Sequence, residues 1–297
     1  MKFYKYQGAG NDFLIADNRD GQVKVCDAML SDCTGWSRSI ADLCDRRYGV
    51  GADGLMLLEP GRNTGSAQTD FTMTYFNSDG SGGMMCGNGG RCIVAFAAEM
   101  GVQPLREDGT YLFEAADGLH VAEILEDADG VRVVRLKMKD VGRVERHESL
   151  TGVDSPSEGW FMDTGTRHFV RMVDGLEEYD IVKEGRDIRY NARELQPVGA
   201  NVNFIEADGN ILKVRTYEKG VEDETFACGT GIVASAVAAF VSGLEPSERR
   251  SDSVIYDIHA KRDDLSVEFS PSGGNLVAEN VWLTGPAAYV AEILFAH

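Results

Sequence analysis

Most of the chain reads as short runs in which apolar and polar residues alternate between turn-forming residues. FTMTYF (71–76), YLFEAA (111–116), HVAEIL (120–125), VRVVRLKM (131–138), HFVRMV (168–173), ILKVRTY (211–217), LSVEF (265–269) and NVWLTG (280–285) have the period of two, or the β-branched and aromatic richness, of strands. Turn signals such as NRDG (18–21), ADG (128–130) and SGG (272–274) separate them. Helical pattern is confined to roughly Ser37–Tyr48 and to two runs, CIVAFAAEM ahead of Gly101 and IVASAVAAFVS ahead of Gly243. Both runs are apolar nearly all round, so each predicts a helix enclosed by other structure, ended by a glycine that can take the left-handed backbone.

Each run is preceded by Cys-Gly-Xaa-Gly, in MMCGNGGRC (84–92) and FACGTGIVA (226–234). Three further matches precede this pair in the same order and at nearly constant separation: GAGNDFL (8–14) with TGTRHFV (164–170), VGADGLMLL (50–58) with VGANVNFIE (198–206), and MTYFNSDG (73–80) with VRTYEKG (214–220), which sets Asn77 opposite Glu218. Four matches in register predict a duplicated chain. The expected fold is α+β: two pseudo-symmetric domains, each a curled, mostly antiparallel sheet around one central helix, with the two cysteines at the helix N-termini facing across the interface. The domains are expected over 1–137 and 138–285, with the boundary near Lys137–Val141 and the last stretch, 286–297, returning as a strand to the first domain.

With 297 residues the chain is long enough for two cores. Its 29 Lys and Arg against 48 Asp and Glu leave a net charge of −19, so a phosphate backbone or an anionic membrane would be bound against the protein's own field. Nucleic acid and membrane are therefore excluded as expected partners, and a small molecule is left. The N-terminus lacks the apolar core of a signal peptide and the longest uncharged stretch, Gly229–Leu244, is too short to span a bilayer, so a cytoplasmic location is expected. Six cysteines are too sparse for a disulfide scaffold. Cys26, Cys33 and Cys44 read as structural, and Cys92 as core. The spacing of Cys86, Cys92, Cys228 and His168 does not suit zinc, and no metal is expected.

A cysteine at a helix N-terminus sits beside unpaired backbone N–H groups and the positive end of the macrodipole, which favour thiolate over thiol and lower the pKa from about 8.5. The glycines after it let backbone N–H groups approach an anion. Each half thus offers a sulfur base beside half of a carboxylate cradle. Two such halves suit removal of a proton α to a carboxylate from one face and its return on the other, with one sulfur thiolate and the other thiol and a bell-shaped pH dependence belonging to the pair. No pyridoxal-type lysine context and no nucleotide fingerprint is evident, so no cofactor is expected. The same residues also fit a thiol–disulfide protein in which Cys86 and Cys228 cycle between bridged and free forms, or an amino-acid binding module without catalysis. Arg91 suits a functional role, a helix anchor, or a pairing with Asp79 or Asp53.

At GAGNDF, GVGADG, YFNSDG, MCGNGGRC, GANVNF, YEKG and ETFACGTG, in that order over nearly the full length, the sequence resembles the diaminopimelate epimerases, cofactor-independent isomerases of lysine and peptidoglycan precursor synthesis. The resemblance implies two pseudo-symmetric domains closing over substrate, epimerisation of LL- to meso-2,6-diaminopimelate and a homodimer. It implies Cys86 and Cys228 as the acid/base pair, with Gly87, Asn88, Gly229 and Thr230 holding the reacting α-carboxylate. It implies Asn11, Asn77 and Asn201 as substrate ligands, and His168 and Glu218 as tuners of the sulfurs' protonation. The chain departs from the family where Glu218-Lys219-Gly220 replaces Glu-Arg-Gly, so that Lys219 offers a point charge instead of a two-point fork to the distal carboxylate. It departs again at Gly165-Thr166-Arg167-His168, where Thr166 keeps a polar side chain and the proline is lost, and at Gly54, where some members have Gln. Two readings follow for the substrate's far end: Arg167 partly replaces the missing arginine, or the substrate is another amino acid, racemised by the same two sulfurs.

Overall fold

The computed structural model describes residues 1–155 and 158–295, which fall into two compact units, Met1–Leu136 with Gly285–His297, and Lys137–Thr284. In the first unit β1 (Lys2–Gly8) and β2 (Asn11–Asp17) form a hairpin. A small antiparallel sheet follows, β3 (Lys24–Cys26), β4 (Met29–Ser31) and β5 (Ser37–Ser39), leading into the short helix α1 (Ile40–Cys44). The main sheet resumes with β6 (Gly54–Pro60), parallel to β2, and β7 (Phe71–Asn77), antiparallel to β6. The central helix α2 (Gly87–Glu99) comes next, then β8 (Tyr111–Ala115), parallel to β7, and the antiparallel β9 (Gly118–Ala128) and β10 (Val131–Lys137).

The second unit repeats this order. β11 (Glu145–His147), β12 (Gly159–Asp163) and β13 (Arg167–Met172) are antiparallel neighbours. After α3 (Ile181–Asn191), β14 (Asn201–Asp208) lies parallel to β13 as β6 does to β2, and β15 (Ile211–Glu218) returns antiparallel. β16 (Asp223–Thr225) leads to the central helix α4 (Gly229–Val241), followed by β17 (Glu248–Arg249), β18 (Val254–His259), parallel to β15, and β19 (Asp264–Pro271). The last strand, β20 (Ala278–Leu294), pairs through Ala278–Thr284 with β19, and through Ala288–Leu294 with β1 in the first unit's sheet. Each unit is thus a mostly antiparallel sheet with two parallel pairs in equivalent places. The final two residues of the return strand expected over 286–297 lie outside the described residues.

Both central helices are enclosed because they have no polar face. Ten of the thirteen residues of α4 are buried, and α4 packs against β12, β13, β14, β15, β18 and β19, while α2 packs against β1, β2, β6 and β9. Each fully buried Val, Ile or Phe on them contributes about 1.5–3 kcal/mol. Gly101 and Gly243, at φ 78° and 86°, end the two helices as the sequence predicts. Beyond them the N–H groups of Val102 and Leu244 bond back to the carbonyls of Ala97 and Ala239, closing a Schellman turn on each.

The outer face of each sheet has a second, smaller core. In the first unit Leu14, Ala16, Leu55 and Leu57 meet Ile40 and Leu43 of α1 together with Trp36 and Leu30. In the second, Phe169, Val202, Phe204 and Tyr217 meet Ile181 and Ile188 of α3. The alternation pattern does not predict α3, because IVKEGRDIRYN buries only Ile181, Gly185 and Ile188. Its start is set by Asp180, whose carboxylate accepts from the Lys183 N–H at 3.1 Å. The expected helix over Ser37–Tyr48 shortens to Ile40–Cys44, since Ser37–Ser39 is taken as the edge strand β5 and Asp45 ends the helix in extended backbone.

Strand register refines the repeat by one residue. Gly54 is paired with Asn77 and with Phe13, whereas Val202 is paired with Tyr217 and Asn201 with His168, which brings Asn201 level with Glu218. Gly54 therefore corresponds to Asn201, and Phe13 to His168, one position away from the match of VGADGLMLL with VGANVNFIE. A shift of one exchanges the two faces of a strand, so it decides which side chains look at the central helix.

Gly185 of α3 lies against Tyr217: a Cβ there would stand 2.4 Å from the Tyr217 Cβ. Overpacking costs about 1–3 kcal/mol, against about 1 kcal/mol that alanine gains over glycine inside a helix. Gly185→Ala should therefore lower the urea midpoint with an unchanged m-value, and an equal or higher midpoint would show that α3 is not seated on Tyr217.

Candidate active site: two helix N-termini

Cys86 is the N-cap of α2, with extended backbone at φ −116° and ψ 149°, and its Sγ accepts the Gly89 N–H at 3.2 Å. Gly87 and Asn88 form the first turn behind it. Asn88 is buried, and its Nδ2 donates to Asn11 Oδ1 at 2.6 Å while its Oδ1 accepts from Arg91 at 2.9 Å. Asn11 in turn donates to Asp53 Oδ2 at 2.8 Å. Asp53 and Asp12 are gripped by Arg46 at 2.6 and 2.7 Å, and Lys5 closes on Asp12 at 2.8 Å. Burial raises the Asp12 carboxyl, but the hydrogen bonds from Arg46 and Lys5 outweigh it and hold the group below its ordinary range. The chain of partners fixes which end of each amide is nitrogen.

Arg91 is a helix anchor. Its guanidinium is fully buried and also donates to the carbonyls of Gly87 and Pro286, while Asp79 caps the Ser81 turn and Asp53 holds Asn11 and Arg46. Asn77, at the end of β7, donates to Ser81 Oγ at 3.0 Å and so also shapes that turn. Gly54 is required by its neighbour: a Cβ would stand 2.4 Å from the Tyr75 ring. Burial, with a smaller contribution from the nearby Cys86, pushes the Tyr75 hydroxyl well above its usual range.

In the second unit Cys228 is the N-cap of α4, with Gly229 and Thr230 as the first turn, and its Sγ lies 3.4 Å from Thr230 Oγ1. Thr166 Oγ1 and His168 Nε2 lie 3.1 and 2.9 Å from that same hydroxyl. Asn201 spans the cluster: its Nδ2 donates to Thr166 Oγ1 at 3.3 Å and to the Arg167 carbonyl at 3.2 Å, and its Oδ1 accepts the Lys219 N–H at 2.8 Å. Glu218 ends β15 half-buried, and Lys219 after it is exposed. Thr166, His168 and Asn201 are thus gathered with Thr230 at the start of α4, as Asn11 is with Gly87 and Asn88 at the start of α2.

Burial and strand direction set the states of His168 and Arg167. His168 is fully buried, and desolvation brings its ring down to about 3, so it is neutral near pH 7 and cannot tune a sulfur by its charge. Arg167, next on the strand, projects to the opposite face with its guanidinium 4.9 Å from the centre of the Phe161 ring. It does not stand beside His168 as a substitute arginine. Sequence reasoning missed Asn203, Asp53 with Arg46, and Tyr75. For Asn203 the available signal was a polar residue in an otherwise apolar strand.

Among the described residues no helix is long and apolar enough to cross a membrane, and no group of three His, Cys, Asp or Glu side chains is arranged to hold a metal ion.

The family model for diaminopimelate epimerase matches residues 3–142 and 160–289. The chain is 39% identical to the diaminopimelate epimerase of Flavobacterium psychrophilum, over 98% of this chain and 99% of that one, and 40% identical to that of Aquifex aeolicus, over 98% and 96%. Among solved structures it is similar to a PhzF-family phenazine biosynthesis protein of Bacillus anthracis, with a TM-score of 0.69 at 13% identity over 99% and 98% of the two chains. It is also similar to a hydroxyproline epimerase of Agrobacterium vitis, with a TM-score of 0.64 at 16% identity over 99% and 91%. At these identities the structural matches establish the shared fold.

The low value of His168 sets a sign for acid stability. A histidine unprotonated in the folded chain but free to protonate below about 6.5 when unfolded leaves stability untouched above that pH and lowers it as pH falls towards 3. Between pH 6.5 and 5 the residue contributes a slope of at most about 1.4 kcal/mol per pH unit. Urea unfolding of His168→Gln across this range should show a shallower acid limb than the parent chain. An equal slope would mean that the buried ring is charged in the folded state.

Proposed function

The chain belongs to the diaminopimelate epimerase family and is an isomerase, and from that membership we propose that it converts LL- to meso-2,6-diaminopimelate with Cys86 and Cys228 as a two-base pair. The observation that carries the reading is the matched placement of the two sulfurs. Each caps a buried helix, with glycine-spaced N–H groups behind it and the positive end of the helix dipole favouring thiolate.

In the proposed reaction one sulfur starts as thiolate and the other as thiol. The thiolate takes the α-proton, breaking C–H and forming S–H, and the thiol delivers its proton to the opposite face, breaking S–H and forming C–H. No electron is gained or lost overall, and the two sulfurs end with their protonation exchanged. The transient negative charge spreads into the α-carboxylate, where the first-turn N–H groups at Gly87, Asn88, Gly229 and Thr230 receive it. Asn11, Asn77, Asn201 and Thr166 hold the amino and carboxylate groups, and Glu218 tunes the sulfurs' protonation. The reading places the enzyme in the cytoplasm, in lysine and peptidoglycan precursor synthesis, as a homodimer.

One observation favours a second reading. With Arg167 turned to Phe161, the distal carboxylate is left to Lys219, which is exposed and offers a single point of charge. A site gripping the far end this lightly also suits racemisation of an amino acid without a second carboxylate. Turnover of a panel of amino acids separates the two readings by kcat/KM.

In heavy water under reducing conditions the enzyme should incorporate deuterium at the substrate α-carbon while approaching an LL/meso mixture, seen by proton NMR. Cys86→Ser and Cys228→Ser should each lower epimerisation by about 10²–10⁴-fold or more. Near-full activity in either variant would end the paired-base account, and binding without exchange would reduce the protein to a binding module.

A further inference from the structure

The two central helices begin alike except beside their first turns. At Gly89 in α2, the side-chain atoms facing the place of a Cβ include Met56 Sδ at 3.5 Å and Phe13 Cζ at 3.6 Å. At the equivalent Gly231 in α4 the neighbours are Asn203 Oδ1 at 2.4 Å and His168 Cε1 at 3.3 Å. His168 takes the place of Phe13 in the register, and Asn203, two residues after Asn201, that of Met56, two after Gly54. Both polar side chains are fully buried. Burying a histidine and an amide costs desolvation that hydrogen bonds must offset, and the first unit shows that this space can be filled by apolar side chains. Packing therefore does not account for the pair.

Its hydrogen bonds have a direction. Thr216 donates its hydroxyl to Asn203 Oδ1 at 2.9 Å, and Asn203 Nδ2 donates to the Phe169 carbonyl at 3.3 Å, which together fix the amide. Nδ2 then faces His168 Nδ1 at 3.0 Å, and a donor against Nδ1 requires a lone pair there. The neutral ring must carry its proton on Nε2, where Thr166 Oγ1 and Thr230 Oγ1 both lie at 2.9 Å. Asn201 Nδ2, 3.5 Å from Nε2, directs its hydrogens to Thr166 Oγ1 and the Arg167 carbonyl, which leaves Thr230 as the acceptor whose own proton is free to point onward. A hydroxyl that accepts from the ring can turn its own proton outward, and Cys228 Sγ is 3.4 Å away.

We propose that Asn203 is a positioning residue that holds the proton of neutral His168 on Nε2, so that donors run in sequence from Asn203 through His168 and Thr230 to Cys228 Sγ. The sulfur at the start of α4 is thereby kept a hydrogen-bond acceptor, which favours its thiolate. Cys86 differs: it accepts from the backbone N–H of Gly89, whose direction no change of protonation can reverse. The hydroxyl facing Cys228 has a direction that depends on the tautomer behind it. Desolvation keeps the ring uncharged near pH 7, as its lowered value indicates.

Few charged groups compete on the strands around α4. Asp163 ends β12 with its carboxylate bonded to the Gly165 N–H, Arg167 of β13 lies over Phe161, and Glu218 and Lys219 stand at the end of β15. β14 presents Asn201, Asn203 and Ile205, none of which titrates. On β18 and β19 the inward positions are Val254, Tyr256 and Ile258 with Leu265, Val267 and Phe269, and Tyr256 is bonded to Leu244 beyond the far end of α4.

The proposal rests on the two-base reading only for its catalytic consequence, and its test does not use turnover. In the unmutated protein, ¹⁵N NMR of labelled histidine, with His168 assigned by comparison with His168→Gln, should show a neutral ring protonated on Nε2 at neutral pH. A proton on Nδ1, or a charged ring, overturns the proposal whatever any variant does. In a Cys86→Ser background, the rate of Cys228 alkylation against pH, read on its peptide by mass spectrometry, gives the thiolate midpoint. Asn203→Asp, of the same shape, demands a proton on Nδ1, turns Nε2 into an acceptor and should raise that midpoint by about one pH unit, a tenfold loss of thiolate below it. Thr230→Val should raise it similarly, and the double variant no further, because both cut one relay. A midpoint that does not rise in Asn203→Asp, or effects that add, would show that Asn203 only supports the fold.

Discussion

A helix with no polar face has to be wrapped, and that constraint organises both halves of this chain. Once α2 and α4 are enclosed by their sheets, solvent cannot satisfy the N–H groups of their first turns, and the residues that precede them decide what does. In both units that residue is a cysteine, whose sulfur accepts a first-turn N–H in α2, while in α4 Cys228 makes no such cap and stands beside the Thr230 hydroxyl. The glycines at 89 and 231 keep the first turn slim enough for partners to approach, and the approach is closer at Gly231, where Asn203 Oδ1 occupies the space of a side chain. Enclosure thus produces at one stroke a fixed sulfur, directed backbone donors and a low-dielectric setting in which both act more strongly than in water.

How far this was legible in the sequence depends on the range of the signal. The enclosed helices, their glycine ends and the cysteines at their starts are all local features of composition and spacing, and the structure has them where the sequence predicts. The helix α3 was not legible, because Gly185 faces the sheet in place of a large apolar residue and the reason, Tyr217, is 32 residues further along the chain. The one-residue offset in the repeat was hidden for a related reason. Val198-Gly-Ala and Val50-Gly-Ala are identical in letters, but strand pairing, not letter identity, decides equivalence, and pairing sets Gly54 level with Asn201.

The chemistry of individual side chains was legible by type and not by state. His168 stands at the predicted place, and complete burial makes it a neutral ring, a state that its letter in the sequence does not show. Arg167 has the right type to meet a carboxylate, but strand alternation turns it to the other face, where an aromatic ring takes it up. Asn11 and Asn88 read in sequence as independent ligands, whereas each is one link in a line running from Arg46 and Asp53 to Arg91. What sequence leaves open in these cases is the partner of each group, and the partner sets its protonation and direction.

Duplication explains why the two helix N-termini match, and divergence within it explains why they need not behave alike. The apolar Phe13 and Met56 leave Cys86 with a backbone donor, fixed in direction by the helix itself. The His168 and Asn203 pair gives the start of α4 a donor whose direction is set by an amide two hydrogen bonds away, held by Thr216. The proposed two-base reaction does not require its two sulfurs to be identical, only that each can hold the proton when its turn comes. A sulfur faced by a settable hydroxyl can favour thiolate at rest and still donate once substrate has displaced or rotated that hydroxyl. The polar pair would then be retained for control of one proton, at a cost in burial that the other half of the fold avoids.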